Sequence, residues 1–255
     1  MAKRSPLAEK LKDVQERIAH AAEAAKRPAK DVTLIAVTKT AAPEQIREMI
    51  QLGVGDLGES RVQVLTQRAT QITEFYQRRA AAGDENVAGK LRWHMIGHLQ
   101  RNKVKAILPV VAAIHSIDSL RLAEELETQA AKAERRVPVL MQVNASEEPQ
   151  KYGVAVGAAV HLAEQIDSMP HLQLVGLMTM APLDASETQA RHCFARTREI
   201  FEEMKWHKIG GTGLRHLSMG MSNDFEPAIA EGATMVRIGT LLFGGKAADE
   251  EMGEE

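Results

Sequence analysis

The sequence predicts an α/β protein, a single (β/α)8 TIM barrel with an additional helix at its amino terminus. Three observations carry this expectation. The chain has 255 residues, and one such barrel takes about 250. Apolar runs of strand length alternate with helical patterns along the whole chain, and strands separated by helices pair in parallel, because a parallel return needs a crossover long enough to hold a helix. An open doubly wound sheet would place a glycine-rich turn after its first strand, whereas Thr38-Lys-Thr-Ala-Ala-Pro43 contains no glycine.

The elements follow in order. Ser5 suits an N-cap with Pro6 at the first helical position, and Leu7, Leu11, Val14 and Ile18 fall on one face of the helix that follows. Val32-Thr-Leu-Ile-Ala-Val-Thr38 is a β-branched run that ends at Lys39 and gives way to a helical pattern from Pro43. Further strands are expected near 55–58, 92–96, 112–117, 138–143, 172–178, 214–218 and 234–238, which brings the count to about eight. The barrel is assigned to residues 1–248, and the acidic tail 249–255 is expected to fray. The stretch 66–90, with its Ala-Ala-Gly-Asp-Glu-Asn turn, carries no functional motif.

Composition excludes several function classes. With 32 basic and 34 acidic side chains there is no global field to attract nucleic acid or an anionic membrane, so any anion site must be local. No apolar run approaches the roughly 20 residues needed to span a bilayer. The lone cysteine, Cys193, has no internal disulfide partner, and Met1-Ala-Lys-Arg-Ser5 leads into a polar helix rather than an apolar secretory core, so a cytoplasmic location is expected. The basic stretch 98–105 lacks the aromatic neighbours of a stacking platform and reads as a solvated helix start.

The candidate chemistry lies at strand ends. Lys39 closes the first strand on the face where barrel enzymes build their sites, and partial burial beside apolar residues would make its neutral, nucleophilic amine accessible; the plain alternative is a lysine that snorkels into water. In His216-Leu-Ser-Met-Gly-Met-Ser-Asn-Asp224, Ser222 or Asn223 is placed to cap a helix whose amides would converge with the Ser218 hydroxyl on a phosphate. Met235-Val-Arg-Ile-Gly-Thr240 delivers Gly239 and Thr240 to the same rim, where barrels often bind phosphate; glycines that merely permit tight turns are the rival explanation. Arg237 interrupts an apolar strand, so it is either in a structural ion pair or aimed into the barrel mouth. His94 reads as a hydrogen-bonded core histidine, Cys193 as a buried thiol, and Met178, Met180, Met219 and Met221 as flexible core filling. No histidine and cysteine cluster has metal-ligand spacing, and no residue is singled out as catalytic.

These motifs, together with Gly58-Glu-Ser60, Val62-Gln63, Trp93-His-Met-Ile-Gly97 and Leu99-Gln-Arg-Asn-Lys103, resemble in order and spacing the pyridoxal phosphate homeostasis proteins, whose barrel is that of the alanine racemase N-terminal domain. The resemblance implies pyridoxal 5'-phosphate as cofactor, held as a Schiff base on Lys39, with the pyridine nitrogen against Arg237. It implies a phosphate held among Ser218, Gly239 and Thr240, with loop amides near Met219 and Ser222. One departure is Ser60-Arg61, where that family commonly has Asn-Tyr. Two functions fit such a site: a monomeric protein that buffers the cofactor and delivers it transiently to apo-enzymes, and an amino-acid racemase. Arg237 favours the first, because arginine only donates hydrogen bonds, leaving the ring nitrogen unprotonated and a weaker electron sink. A racemase also needs an acid-base group on the second cofactor face, which the racemase resemblance assigns to a second domain beyond the end of this chain.

Overall fold

The computed structural model describes residues 5–82 and 91–244. The strands are β1 (Thr33–Val37), β2 (Asp56–Glu59), β3 (Arg92–Met95), β4 (Val111–Ile117), β5 (Val137–Asn144), β6 (Val154–Ala155), β7 (Leu172–Met178), β8 (His216–Ser218) and β9 (Met235–Ile238). Eight of them close in the order β1-β2-β3-β4-β5-β7-β8-β9, with β9 returning to β1 and every pairing parallel. The expected barrel is therefore the observed one. β6 is an addition that pairs with β5 outside the ring. A two-residue strand leaves no apolar run in the sequence by which to find it.

The helices are α1 (Pro6–Ala24), α2 (Pro43–Gln51), α3 (Val62–Ala81), α4 (Val104–Ile107), α5 (Leu120–Lys132), α6 (Ala159–Asp167), α7 (Glu187–Trp206), α8 (Phe225–Ala230) and α9 (Thr240–Phe243). The main core lies between the strands and this outer layer, while Ile35, Leu140, Val175, Met178 and Met235 form a smaller apolar cluster inside the barrel. Ser5 caps α1 by accepting from the Ala8 amide at 3.1 Å, and Leu7, Leu11, Val14 and Ile18 are buried with Ala22. α1 packs against α8 and α9, which have only 6 and 4 residues. It thus covers the part of the barrel that these short helices leave bare.

One expectation about caps is corrected. α8 is capped at position 224, not by Ser222 or Asn223. The Asp224 carboxylate accepts from the Met221 amide, and the Ser222 hydroxyl accepts from the Gly239 amide at 3.4 Å, so Ser222 joins two loops instead of starting a helix. The acidic tail and the part of the 66–90 stretch from 83 to 90 lie outside the described residues. Cys193 is buried, and burial pushes its thiol up, as suits a structural residue.

Candidate functional site

β1 ends at Val37, and Lys39 stands two residues beyond it at the carboxyl rim. The partial burial expected for Lys39 is not found: the residue is exposed, because the turn carries it past the apolar strand end. That turn is held firmly from below. The Ala41 amide donates to the Thr38 carbonyl at 2.8 Å, and Arg68 of α3 donates both to that carbonyl and, at 3.0 Å, to the carbonyl of Ala41. The same guanidinium pairs with the buried Glu59 carboxylate, which also accepts from the Thr38 hydroxyl. Glu59 and Arg68 therefore clamp both sides of Lys39. Arg68 is absent from the sequence reading; the signal for it is Glu59, a carboxylate in a buried strand that must find a cation.

Arg237 faces the barrel interior beside Ile35, its partner across the β1–β9 ladder. Its Nη1 donates to the Ser218 carbonyl and hydroxyl, each at 2.7 Å, and its Nη2 donates to the Thr179 carbonyl at 2.9 Å. Three of the five guanidinium donors are thus engaged. Burial lowers Arg237 to about 10, against the raising effect of Asp224, and it stays charged at neutral pH.

Ser218 does not stand alone. Its hydroxyl lies 2.9 Å from Nδ1 of His115, whose Nε2 lies 2.9 Å from Nδ1 of His94, whose Nε2 lies 2.9 Å from Asp56. Arg92 closes the line by donating from Nε to the Asp56 carboxylate at 2.6 Å, with a second bond from Nη2. Burial pushes the Asp56 carboxyl up, but the hydrogen bonds from His94 and Arg92, with the charge of Arg92, outweigh it and hold the group at about 2. Burial, reinforced by the charge of the nearby Arg237, holds His115 well below the ordinary imidazole value. His94 is the core histidine the sequence suggested; His115 and Asp56 were not singled out.

The β8 loop and the end of β9 meet beside β1. The Met219 amide donates to Met235, and the Arg237 amide donates to the Gly220 carbonyl at 3.0 Å. Gly220 has φ of +91°, and a Cβ there would lie 2.6 Å from Cβ of Ala228, so this turn needs glycine. A Cβ on Gly239 would lie 3.3 Å from the Val37 carbonyl, which shows how closely the run into Thr240 follows the strand that presents Lys39. The structure accordingly gathers Lys39, Arg237, Ser218, Met219, Ser222, Gly239 and Thr240 at the carboxyl ends of three neighbouring strands, β1, β8 and β9. A groove between α2 and α3, lined by Arg47, Arg68 and Phe75, lies in the outer layer behind the Lys39 turn that Arg68 holds. Among the described residues there is no cluster able to hold a metal ion, and no helix long and apolar enough to cross a membrane.

The family model of the alanine racemase N-terminal domain matches residues 10–247. The pyridoxal phosphate homeostasis protein of Aquifex aeolicus is 41% identical over 236 residues, covering 92% of this chain and 96% of that protein. Its counterpart in Pseudomonas aeruginosa is 37% identical, covering 95% and 96%. Among solved structures, PipY of Synechococcus elongatus PCC7942 is 32% identical and covers 93% of this chain and all of that one, with TM-scores of 0.79 without PLP and 0.74 with PLP bound. An alanine racemase of Clostridium difficile, 14% identical with a TM-score of 0.69, shares the fold, and the match spans 58% of that enzyme. The chain belongs to the alanine racemase N-terminal domain family and, within it, to the pyridoxal phosphate homeostasis proteins.

Proposed function

We infer that this protein binds pyridoxal 5'-phosphate and serves its homeostasis, holding the cofactor and passing it to apo-enzymes. The observation that carries the reading is the convergence, at one rim, of a primary amine, a buried guanidinium with donors to spare, and a glycine-containing loop bearing hydroxyls. The cofactor supplies an aldehyde that condenses with amines and a ring that withdraws electrons from the product. Lys39 is the residue to hold that aldehyde covalently, and its exposure suits exchange with an incoming amine. Arg237 faces the ring nitrogen as a pure donor. Met219, Ser222, Gly239 and Thr240 bound the phosphate end. Ser218 lies between the two ends, with its hydroxyl engaged by Arg237 and His115. The protein acts in the cytoplasm as a monomer with transient acceptor partners, a reading that rests on the sequence and the family.

The test is borohydride reduction of the protein loaded with pyridoxal phosphate, followed by peptide mapping. The label is expected on the Lys39 peptide, and Lys39→Ala is expected to lose it while retaining noncovalent binding. A label on a different lysine would refute the assignment.

A further inference from the structure

TIM barrel interiors are normally filled by layers of branched apolar side chains. Here one hydrogen-bonded line crosses the interior instead, from Arg92 at the amino-terminal rim, half exposed, through Asp56, His94, His115 and Ser218 to Arg237 at the carboxyl rim. Asp56, His94, His115, Ser218 and Arg237 are all buried. Such a line is stable only when every member has its partner, and here each ring nitrogen has one.

Its proton positions follow from its two ends. Asp56 is ionised near neutral pH and only accepts, so His94 donates from Nε2. With one proton on each ring, His94 keeps its own on Nε2 against Asp56 and accepts at Nδ1, which makes Nε2 of His115 the donor between the rings. Burial keeps His115 neutral, so its Nδ1 accepts, and the proton it takes is that of the Ser218 hydroxyl. The Ser218 oxygen is left to accept from Arg237. Every proton therefore points away from Arg237 toward Asp56.

We propose that Asp56, His94, His115 and Ser218 are a positioning relay for Arg237, fixed in one proton polarity by the Asp56 charge, which keeps the ring-nitrogen end of the site free of any mobile proton. The part that concerns the ring nitrogen rests on the cofactor reading above; the polarity of the line does not. The Ser218 hydroxyl bonds Arg237 directly, and its proton is committed to His115, while the guanidinium keeps its own. A ring nitrogen at Arg237 is held as an acceptor, the state that suits storage of the cofactor over carbanion chemistry.

Asp56→Asn makes the relay testable because it should reverse the line. His94 and Nε of Arg92 share Oδ1 of Asp56. Arg92, however, only donates, is half exposed and already bonds Oδ2 through Nη2, so in the variant it shifts to an amide oxygen at the Oδ2 position and leaves the NH2 group at the Oδ1 position to face His94. His94 must then accept at Nε2 and carry its proton on Nδ1, His115 follows, and the Ser218 proton is released toward the site. Long-range 1H–15N correlation spectra of 15N-histidine-labelled protein, without cofactor, read both rings. In the wild type His94 and His115 are expected as neutral Nε2–H tautomers, and in Asp56→Asn both as Nδ1–H tautomers. Cationic rings or Nδ1–H tautomers in the wild type overturn the proposal without any variant being needed, and so does a change confined to His94 in the variant. With 15N-labelled pyridoxal phosphate bound, the ring-nitrogen resonance is expected to move in Asp56→Asn toward that of the protonated ring. An unmoved resonance despite reversed tautomers would leave the line structural and overturn its role toward Arg237. If the tautomers reverse but no cofactor binds, the relay polarity stands and the cofactor reading fails.

Discussion

A hydroxyl has one proton to give, and in the proposed polarity the Ser218 proton goes to His115, 2.9 Å away, while its oxygen accepts from Arg237. On the proposed reading Ser218 acts on the ring-nitrogen end through Arg237, and Thr240, which opens α9 directly after Gly239, acts at the phosphate end. The two residues should respond differently to ligand chemistry. Thr240→Ala is expected to weaken pyridoxal phosphate by about 1.5 to 3 kcal/mol if its hydroxyl bonds a charged oxygen, and to leave pyridoxal unaffected. Ser218→Ala is expected to weaken both ligands to a similar extent, since it loosens Arg237. Titrations with the two ligands check this; a loss restricted to pyridoxal phosphate in Ser218→Ala would return the serine to the phosphate. The Arg68–Glu59 pair makes a second prediction. Removing one partner of a buried ion pair strands the other, so Arg68→Met should lower the unfolding free energy by about 3 to 5 kcal/mol. Urea denaturation measures this, and a loss below about 1 kcal/mol would mean that the clamp is dispensable. The candidate residues Lys39 and Arg237 were legible in the sequence because each is a charge at the end of, or within, an apolar run. His115, Asp56 and Arg68 were not, since their meaning lies in partners far along the chain: 103 positions separate His115 from Ser218, and 38 separate His94 from Asp56.

At the scale of strands and helices, two close approaches set the geometry around the site. Gly176 sits in β7 where a Cβ would come within 1.9 Å of the His216 carbonyl oxygen, so β7 and β8 pair this closely only with glycine there. Gly176→Ala must push a backbone aside, and the expected cost is about 1 to 3 kcal/mol, as for other overpacked sites. Gly157→Ala is the control, because a Cβ there meets nothing within 4 Å, and its effect should stay within about 0.5 kcal/mol. Thermal or urea unfolding of both variants decides the matter; equal stabilities would mean that β8 moves freely. The strands themselves were readable because β-branched runs such as Thr33–Val37 recur between amphipathic helices. The start of α8 differs from the expected one for a physical reason. Ser222, Asn223 and Asp224 are all good N-caps, and the choice among them falls to loop contacts: Asp224 binds back to Met221, and Ser222 is drawn to Gly239.

Over the whole molecule, the interior line ties stability to pH through Asp56. The carboxyl titrates at about 2 in the folded protein against an ordinary value of 3.8, a depressed group, so its contribution is present above pH 4 and is lost as pH falls through 2. The difference corresponds to about 2 kcal/mol, carried by His94 and Arg92 together. Little solvent screening applies, because the carboxylate side chain is 11% exposed. In Asp56→Asn no such group titrates, while every other carboxylate of the molecule is kept. Subtracting the unfolding free energy of the variant from that of the wild type therefore cancels every other carboxylate and leaves the acid limb to Asp56. The difference is expected to be flat from pH 7 to about 5, to shrink below about 4, and to have lost about 2 kcal/mol near pH 2. A difference of the same size at every pH would mean that the variant is weakened by altered packing alone, and that the charge at the foot of the barrel does not stabilise the fold.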